Sequence, residues 1–414
     1  MRLAYGLGLA LAACATDITA EPAGPVVSAA YGKAAEPAAD APRFLYVVGG
    51  DYATSALSVV DLAGMPTGDV ATGPPVAAHV LHSGSKVGPV TTALSGDVVL
   101  AQSPFGDRRA LLVDRANGVL TVFDARVLAV AQQWSVAGGF YANPQDALAL
   151  PDGRMLVSRM GKNAHPSGLL DGGDDVVALQ SGQVAARTAL TDRATHAGHL
   201  AAPQRLAWAM GRVWLGLGSF APDFKAVGPG RILGLSADAS AVEVAVDVPM
   251  ARNCVTAAAL QPVGLVAACQ GSFVKGQDQV AQSAIVRVQP QDAHWAVTAL
   301  ALADVATGPW SRDLAVEGDS VFAVSVGDLA TGRPDRLWRI DLATQVRSVV
   351  ASSSKPFGFS GLWFDRFRRV LWIGERGARP GDLRRFAVTA TATSEGKPVR
   401  SNPRGLGALD LGGF

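Results

Sequence analysis

Short apolar runs separated by glycine-containing turns fill the chain from residue 44 onward. In one frame, residues 143–150 (Asn-Pro-Gln-Asp-Ala-Leu-Ala-Leu) fit a first strand that ends in an apolar run, Pro-Asp-Gly at 151–153 supplies a turn, and the mostly apolar run at 154–158 fits a second strand. Two such runs around a tight turn predict a β-hairpin. Residues 175–179 supply a third strand and residues 184–190 a fourth, so the frame predicts a four-stranded antiparallel unit.

This frame recurs at intervals of roughly fifty residues, the period of four-stranded propeller blades. It returns at residues 203–208, and further copies begin near Cys254, Ser311 and Phe359. Seven segments fit the third strand of the frame, and they are centred near Val59, Val122, Val177, Leu233, Val286, Trp338 and Arg385. The repeat therefore predicts an all-β fold, a seven-bladed β-propeller.

The two ends of the repeat predict how the propeller closes. Residues 44–48 look like a second strand with no first strand before it, whereas residues 402–409 echo the first-strand sequence at 143–150. The chain then ends before another second strand can follow. We therefore predict that the C-terminal strand becomes the innermost strand of the N-terminal blade, which removes the sheet edges that promote aggregation.

Three segments carry a resemblance to a known family. Residues 44–48 (Phe-Leu-Tyr-Val-Val), residues 56–62 (Ala-Leu-Ser-Val-Val-Asp-Leu) and the Asn-Pro-Gln at 143–145 resemble YVTN-type β-propeller repeats of bacterial surface and periplasmic proteins. The resemblance covers most of residues 44–412. It implies the propeller fold but no single function, because such propellers include lactonases, dehydrogenases, ligand sensors and scaffolds.

The N-terminus reads as a secretion signal with a lipidation site. Arg2 precedes an apolar run at 3–13 that is too short to span a bilayer. Residues 11–14, Leu-Ala-Ala-Cys, resemble the bacterial lipobox, which implies that Cys14 is lipidated and becomes the first mature residue. An ordinary signal peptide with an incidental cysteine is the alternative. In Gram-negative lipoproteins, Ala15 in place of Asp implies export to the outer membrane.

We therefore predict three segments: a lipoprotein signal peptide at 1–13, the lipidated cysteine with a flexible Ala/Pro-rich tether at 14–43, and the propeller at 44–414. Acyl chains such as palmitate hold a protein at a membrane without a transmembrane helix. The expected location is the bacterial cell envelope, anchored to the outer membrane and facing either the periplasm or the surface.

Composition and missing motifs narrow the possible functions. The net charge is +1 and no basic stripe occurs, so nucleic acid is not an expected partner. The chain has neither a Cys-x-x-Cys-His haem site nor a Gly-x-Ser-x-Gly nucleophile elbow, and no motif supports a quinone cofactor. We favour a monomeric, non-enzymatic scaffold that binds an unidentified protein or small molecule.

Cys254 and Cys269 lie at equal distances along the chain from the turn at 261–262. In an antiparallel hairpin this symmetry places them opposite each other, within reach of a disulfide bond. An oxidising compartment favours that bond, and two buried free thiols are the alternative.

Five of the six histidines fall on one predicted face of the propeller, where the loops between second and third strands and the connections between blades open. They are His79 and His82 before blade two, His165 in the second-to-third loop of blade three, and His196 and His199 before blade four. Only His294 falls on the opposite face.

A divalent metal ion could bind between His196 and His199, with His165 or a carboxylate of Asp171, Asp174 or Asp175 completing its coordination. Such a site would support an alternative function, a metal-dependent lactonase-like hydrolase. The other interpretation is that these are ordinary polar loop residues without a cofactor. The acidic run lacks the spacing of an EF-hand and is better explained as a solvated turn.

Two further sets of residues are placed by the strand frame. Glu375 and Asp51 are expected at the ends of second strands near the channel mouth, but no motif connects them, and so no catalytic residue is predicted. The tryptophans at strand positions are expected to fill space between blades; they are Trp208, Trp214, Trp338, Trp363 and Trp372.

Overall fold

The computed structural model describes residues 41–86, 89–101, 109–261, 263–292, 294–376 and 381–413. Their strands form seven antiparallel sheets, which confirms the seven-bladed β-propeller. No helix in these ranges is long and apolar enough to cross a membrane. The predicted lipidation site and nearly all of the predicted tether lie outside the described residues.

The strands follow the chain blade by blade. Blade one contains β1 (Phe44–Gly50), β2 (Ser55–Asp61) and β3 (Val76–His82), and blade two contains β4 (Val98–Ala101), β5 (Arg109–Asp114), β6 (Val119–Asp124) and β7 (Ala129–Ser135). Blade three contains β8 (Pro144–Ala149), β9 (Met155–Lys162), β10 (Gly173–Gln180) and β11 (Gln183–Ala189). Blade four contains β12 (Pro203–Ala209), β13 (Arg212–Leu217), β14 (Pro229–Leu235) and β15 (Val242–Arg252). A single turn of 3₁₀ helix (Thr191–Arg193) lies between β11 and β12.

Blade five contains β16 (Cys254–Ala259), β17 (Leu265–Gln270), β18 (Ser283–Gln291) and β19 (His294–Leu302). Blade six contains β20 (Trp310–Glu317), β21 (Ser320–Ser325), β22 (Arg336–Asp341) and β23 (Arg347–Ser352). Blade seven contains β24 (Phe359–Asp365), β25 (Val370–Glu375), β26 (Asp382–Val388), β27 (Thr393–Glu395) and β28 (Val399–Arg400). The last strand, β29 (Ala408–Gly413), returns to blade one. All seven predicted third-strand centres lie in third strands.

The C-terminal strand closes the ring as predicted. β29 pairs antiparallel with β1, with Leu411 opposite Val47, and becomes the first strand of blade one. The predicted limits of this strand, 402–409, are wrong, because residues 402–407 form the connection that precedes it. Asn402 makes a turn there by accepting the backbone N–H of Gly405, whose positive φ is incompatible with an extended strand.

The core consists of seven apolar clusters, one at each interface between neighbouring blades. Because strand side chains alternate between faces, β1 contributes Leu45 and Val47 to the interface with blade seven and Tyr46 and Val48 to the interface with blade two. The predicted packing of the tryptophans between blades is confirmed, and Trp214 and Trp372 are fully buried.

Cys254 and Cys269 form a disulfide bond between the first and second strands of blade five, as predicted. The bond lies in the apolar cluster shared with blade four. Gly230 of that blade makes room for it, because a Cβ atom at this position would lie 2.7 Å from Cys254 Sγ. The disulfide is therefore part of an interface between blades.

Candidate functional site

One face of the propeller carries most of the exposed apolar side chains. We define the upper face as the one where the loops between second and third strands and the connections between blades emerge. The large exposed hydrophobic residues on it are Tyr52, Tyr141, Leu169, Leu170, Phe224, Phe273, Val305, Leu329 and Phe357. Concentration of such residues on one face of a soluble domain is typical of a binding surface.

A cavity of about 770 Å³ opens on the upper face at the mouth of the central channel. First strands of blades one, two, six and seven form its floor, and loops of blades one, two, five, six and seven form its rim. We call it the upper-face cavity. Five of the exposed apolar side chains line it, and they are Tyr52, Phe273, Val305, Leu329 and Phe357.

Four arginines also line this cavity, but only one of them is paired with a described carboxylate. Arg115 donates from Nε to Asp97 Oδ1 at 2.9 Å. Arg333 donates to backbone carbonyl oxygens, and the guanidinium of Arg376 lies 5.5 Å from the ring centroid of Tyr52. Arg312 donates to the carbonyl oxygen of Leu409 at 3.3 Å. Three cations of the cavity thus have no carboxylate partner among the described residues.

The acidic residues of the cavity already accept hydrogen bonds. Asp335 accepts the backbone N–H groups of Phe357 and Phe359, both at 2.9 Å, so that it fixes the connection between blades six and seven. Burial raises the pKa of Asp335, and these hydrogen bonds oppose the rise. Asp328 accepts the backbone N–H of Ala330 at 2.9 Å within its own loop. These carboxylates shape the cavity wall.

Charged side chains continue from the cavity into the channel, where three carboxylates are buried and two arginines are half-buried. We call Asp146, Arg205, Arg312, Asp313 and Asp410 the channel charge cluster; all lie on first strands. Its three carboxylates each accept a backbone N–H from the first strand of the next blade. The donors are Leu206 for Asp146, Gly361 for Asp313 and Leu100 for Asp410, at 2.8, 3.1 and 3.2 Å.

The cluster joins opposite sides of the ring. Arg205 of blade four forms an ion pair with Asp410 of the closing strand. Burial raises the pKa of Asp146 to about 7, although the positive charge of Arg205 opposes this shift. The pKa of Asp146 therefore lies well above that of an ordinary aspartate.

His196 and His199 lie close together on the upper face, between blades three and four. Their ring centroids are 5.2 Å apart, and their Nδ1 atoms lie 3.0 and 2.9 Å from the carbonyl oxygens of Thr195 and Ser219. His165 lies in the loop between β9 and β10, as predicted, and is exposed. Within the described ranges, no group of three or more His, Cys, Asp or Glu could hold a metal ion.

The carboxylates considered as further metal ligands have other partners. Asp171 accepts hydrogen bonds from Ser167, which lower its pKa to about 2. Asp174 is buried and accepts the backbone N–H groups of residues 201 and 202 at 3.0 and 2.8 Å. Asp175 is buried against Arg159. A metal ion at His165, His196 and His199 stays a prediction, which elemental analysis of the purified protein would test.

Other predicted positions are confirmed in part. His79 and His82 lie on β3, the outermost strand of blade one, and not in the connection that follows, because strand pairing with β2 continues as far as His82. Glu375 ends β25, and Asp51 directly follows β1, as predicted. Asp51 accepts the backbone N–H of Thr54 at 2.7 Å and stabilises its own turn.

The sequence reasoning missed the upper-face cavity and the channel charge cluster. Two signals were present: aromatic residues in glycine-rich loops, such as Phe273 and Phe357, and charged residues within otherwise apolar first strands, such as Arg205 and Arg312. A charged residue in a strand predicted to be innermost points into the channel or is paired there.

No family model matches the chain. No curated protein matches it either. The YVTN resemblance therefore stays a prediction.

Solved structures do resemble it. A hypothetical selenium-binding protein from Sulfolobus tokodaii is 10% identical with a TM-score of 0.61, over 90% of this chain and 94% of that one. A putative 6-phosphogluconolactonase from Bacteroides fragilis is 9% identical with a TM-score of 0.54, over 90% and 98%. Hydrazine synthase from Kuenenia stuttgartiensis is 10% identical with a TM-score of 0.51, over 85% and 96%. Such likeness shows the propeller fold alone.

Proposed function

We propose that this protein is a ligand-binding β-propeller of the bacterial cell envelope, held at the membrane by a lipid on Cys14, and that its upper face binds the ligand. The observation that carries the proposal is the concentration of exposed apolar side chains around one cavity at the channel mouth. No observation on the described residues favours the alternative hydrolase.

The cavity has the size and lining of a site for a small organic molecule. About 770 Å³ is within the range of ligand sites in proteins. Burial of one Phe, Leu or Val side chain is worth roughly 1.5–3 kcal/mol before the costs of ordering the ligand. Five apolar or aromatic side chains line the cavity, and Asp335 holds the segment that carries one of them, Phe357; contact with several of these side chains supports binding of an apolar ligand.

A neutral fluorescent probe, phenylnaphthylamine, tests the binding function. We expect saturable binding to the full chain, and we expect Phe273→Ser combined with Phe357→Ser to weaken it roughly tenfold or more, because two apolar walls are lost. The measurement is a fluorescence titration of each purified variant, with a thermal melt to confirm that it folds.

Val127→Ser combined with Val346→Ser is the matched control, since both valines are exposed in turns between third and fourth strands, on the opposite face. This variant should bind the probe as the unmodified chain does. An equal loss of affinity in both double variants, or the absence of saturable binding, would show that the upper face is not a specific site.

Lipid attachment gives a separate prediction. In a Gram-negative host fed an alkyne analogue of palmitate, the full chain should take up the label and sediment with membranes. Cys14→Ser should lose both properties, because the thiol is the only site of attachment in the proposal. Ser28→Ala, a substitution in the predicted tether, should retain them. An unlabelled full-length chain would contradict lipidation at Cys14.

A further inference from the structure

Arg312 is the cation on the floor of the upper-face cavity. It lies on the first strand of blade six, next to the buried Asp313. No carboxylate of the described residues lies within salt-bridge distance of its guanidinium group, and its hydrogen bond to Leu409 is long, at 3.3 Å. A guanidinium group carries five N–H donors, so most of the donors of Arg312, a residue that lines the cavity, have no acceptor among the described residues.

The carboxylates nearest to Arg312 are held by other groups. Asp313 accepts a hydrogen bond from Ser311 Oγ at 2.9 Å as well as the backbone N–H of Gly361. Asp410 is paired with Arg205. Burial, together with the positive charges of Arg205 and Arg115, lowers the pKa of Arg312, which means that its protonated form lacks full compensation in this site. A bound anion would supply that compensation.

The rim of the cavity also carries arginines that have no carboxylate partner among the described residues. Among the described residues, Arg333 donates to the carbonyl oxygens of Val305 and Val326, and the guanidinium of Arg376 lies over the face of Tyr52. The exposed apolar groups Phe273, Leu329 and Phe357 surround these cations. Charge complementarity therefore favours an acidic group on the ligand, and the apolar walls favour a hydrocarbon or aromatic body.

We infer that the upper-face cavity binds an organic anion with an apolar body, and that the acidic group of this ligand accepts hydrogen bonds from the guanidinium of Arg312. The inference rests on the proposed binding function and adds the chemical class of the ligand. Carboxylate, sulfonate and phosphate groups share the required chemistry, since each presents several oxygen acceptors to a guanidinium group.

Two probes with the same ring system separate charge from apolar contact. Anilinonaphthalene sulfonate carries an acidic group, and phenylnaphthylamine does not. We expect the full chain to bind the sulfonate more tightly, and we expect Arg312→Gln to weaken sulfonate binding by about tenfold or more, as for a charge-assisted hydrogen bond. Binding of the neutral probe should change less than twofold. Added salt should weaken only the sulfonate.

Arg193→Gln is the matched control, because Arg193 is an exposed arginine on the same face that does not line the cavity. It should leave both affinities unchanged. Thermal melts provide a second readout: removal of a cation without an ion-pair partner should not lower the melting temperature, whereas a purely structural arginine would lower it.

Each outcome decides between the possibilities. Equal binding of both probes, with no effect of Arg312→Gln, overturns the anion inference and leaves the binding function intact. An equal loss in Arg193→Gln means that general surface charge attracts the sulfonate, which also overturns it. Binding of neither probe overturns both proposals.

Competition identifies the source of the anion. Dodecanoate and naphthoate each present one carboxylate, on an acyl chain and on an aromatic ring system respectively. If the inference is correct, at least one of them displaces the sulfonate from the full chain and loses about tenfold in potency against Arg312→Gln. Stronger competition by dodecanoate indicates a lipid-derived ligand, and stronger competition by naphthoate a soluble aromatic acid. Displacement by neither overturns the inference.

Discussion

Deletion of residues 408–414 is expected to abolish the cooperative folding of the propeller. The deletion removes β29, so that β1 loses its inner partner and blade one has an open edge at the channel. Leu409 leaves the interface with blade two, Leu411 leaves the interface with blade seven, and Arg205 loses Asp410. The expected result is loss of the thermal transition in circular dichroism and rapid proteolysis.

The free energy lost with β29 is comparable to the total stability of a domain. Each leucine contributes roughly 1.5–3 kcal/mol through burial, and a buried cation left without its partner costs about 3–5 kcal/mol. Domains have total stabilities of only about 5–15 kcal/mol. Deletion of Phe414 alone leaves every residue of β29 in place and is the control. A shortened chain that melts within a few degrees of the full one would contradict closure by β29.

Asp175→Asn is expected to lower the free energy of unfolding by about 3–5 kcal/mol, because it leaves the cation of Arg159 buried without its full partner. Arg159 donates from Nε and Nη2 to the two carboxylate oxygens of Asp175, both at 2.7 Å, and both side chains are 0% exposed. The same guanidinium donates to the carbonyl oxygens of Val136 and Leu170. The pair therefore fixes the loop of blade three against the connection from blade two.

Asp152→Asn is the matched control in the same blade. Asp152 accepts hydrogen bonds from Nε and Nη2 of Arg154 at 2.8 and 2.6 Å, but half of its side chain is exposed. Exposed pairs of this kind contribute about 0–1 kcal/mol. Urea unfolding of both variants measures the difference. Similar losses for Asp152→Asn and Asp175→Asn would contradict the special contribution of the buried pair.

The candidate site shows where sequence reasoning reached its limit. By sequence alone, the acidic run at 171–175 is either a solvated turn or a source of one carboxylate ligand for a metal ion held by the histidines. In the fold, Asp171 stabilises its own loop, Asp174 fixes the next blade and Asp175 pairs with Arg159. Their partners come from other strands and loops, and no local pattern reveals them.

The sequence by itself determined the fold and the opposed position of the two cysteines, because both depend on short-range order. It also predicted closure by the C-terminal strand, because the N-terminal blade lacks a first strand, but it did not determine the limits of that strand. Apolar alternation with period two specifies strands, and a repeat of four strands specifies blades. Cys254 and Cys269 lie at equal distances on either side of the same turn, and this symmetry specifies their pairing. Only the tertiary structure decided the channel charge cluster and the upper-face cavity. Arg205 and Asp410 are 205 positions apart, and ring closure brings first strands from distant parts of the chain around one channel.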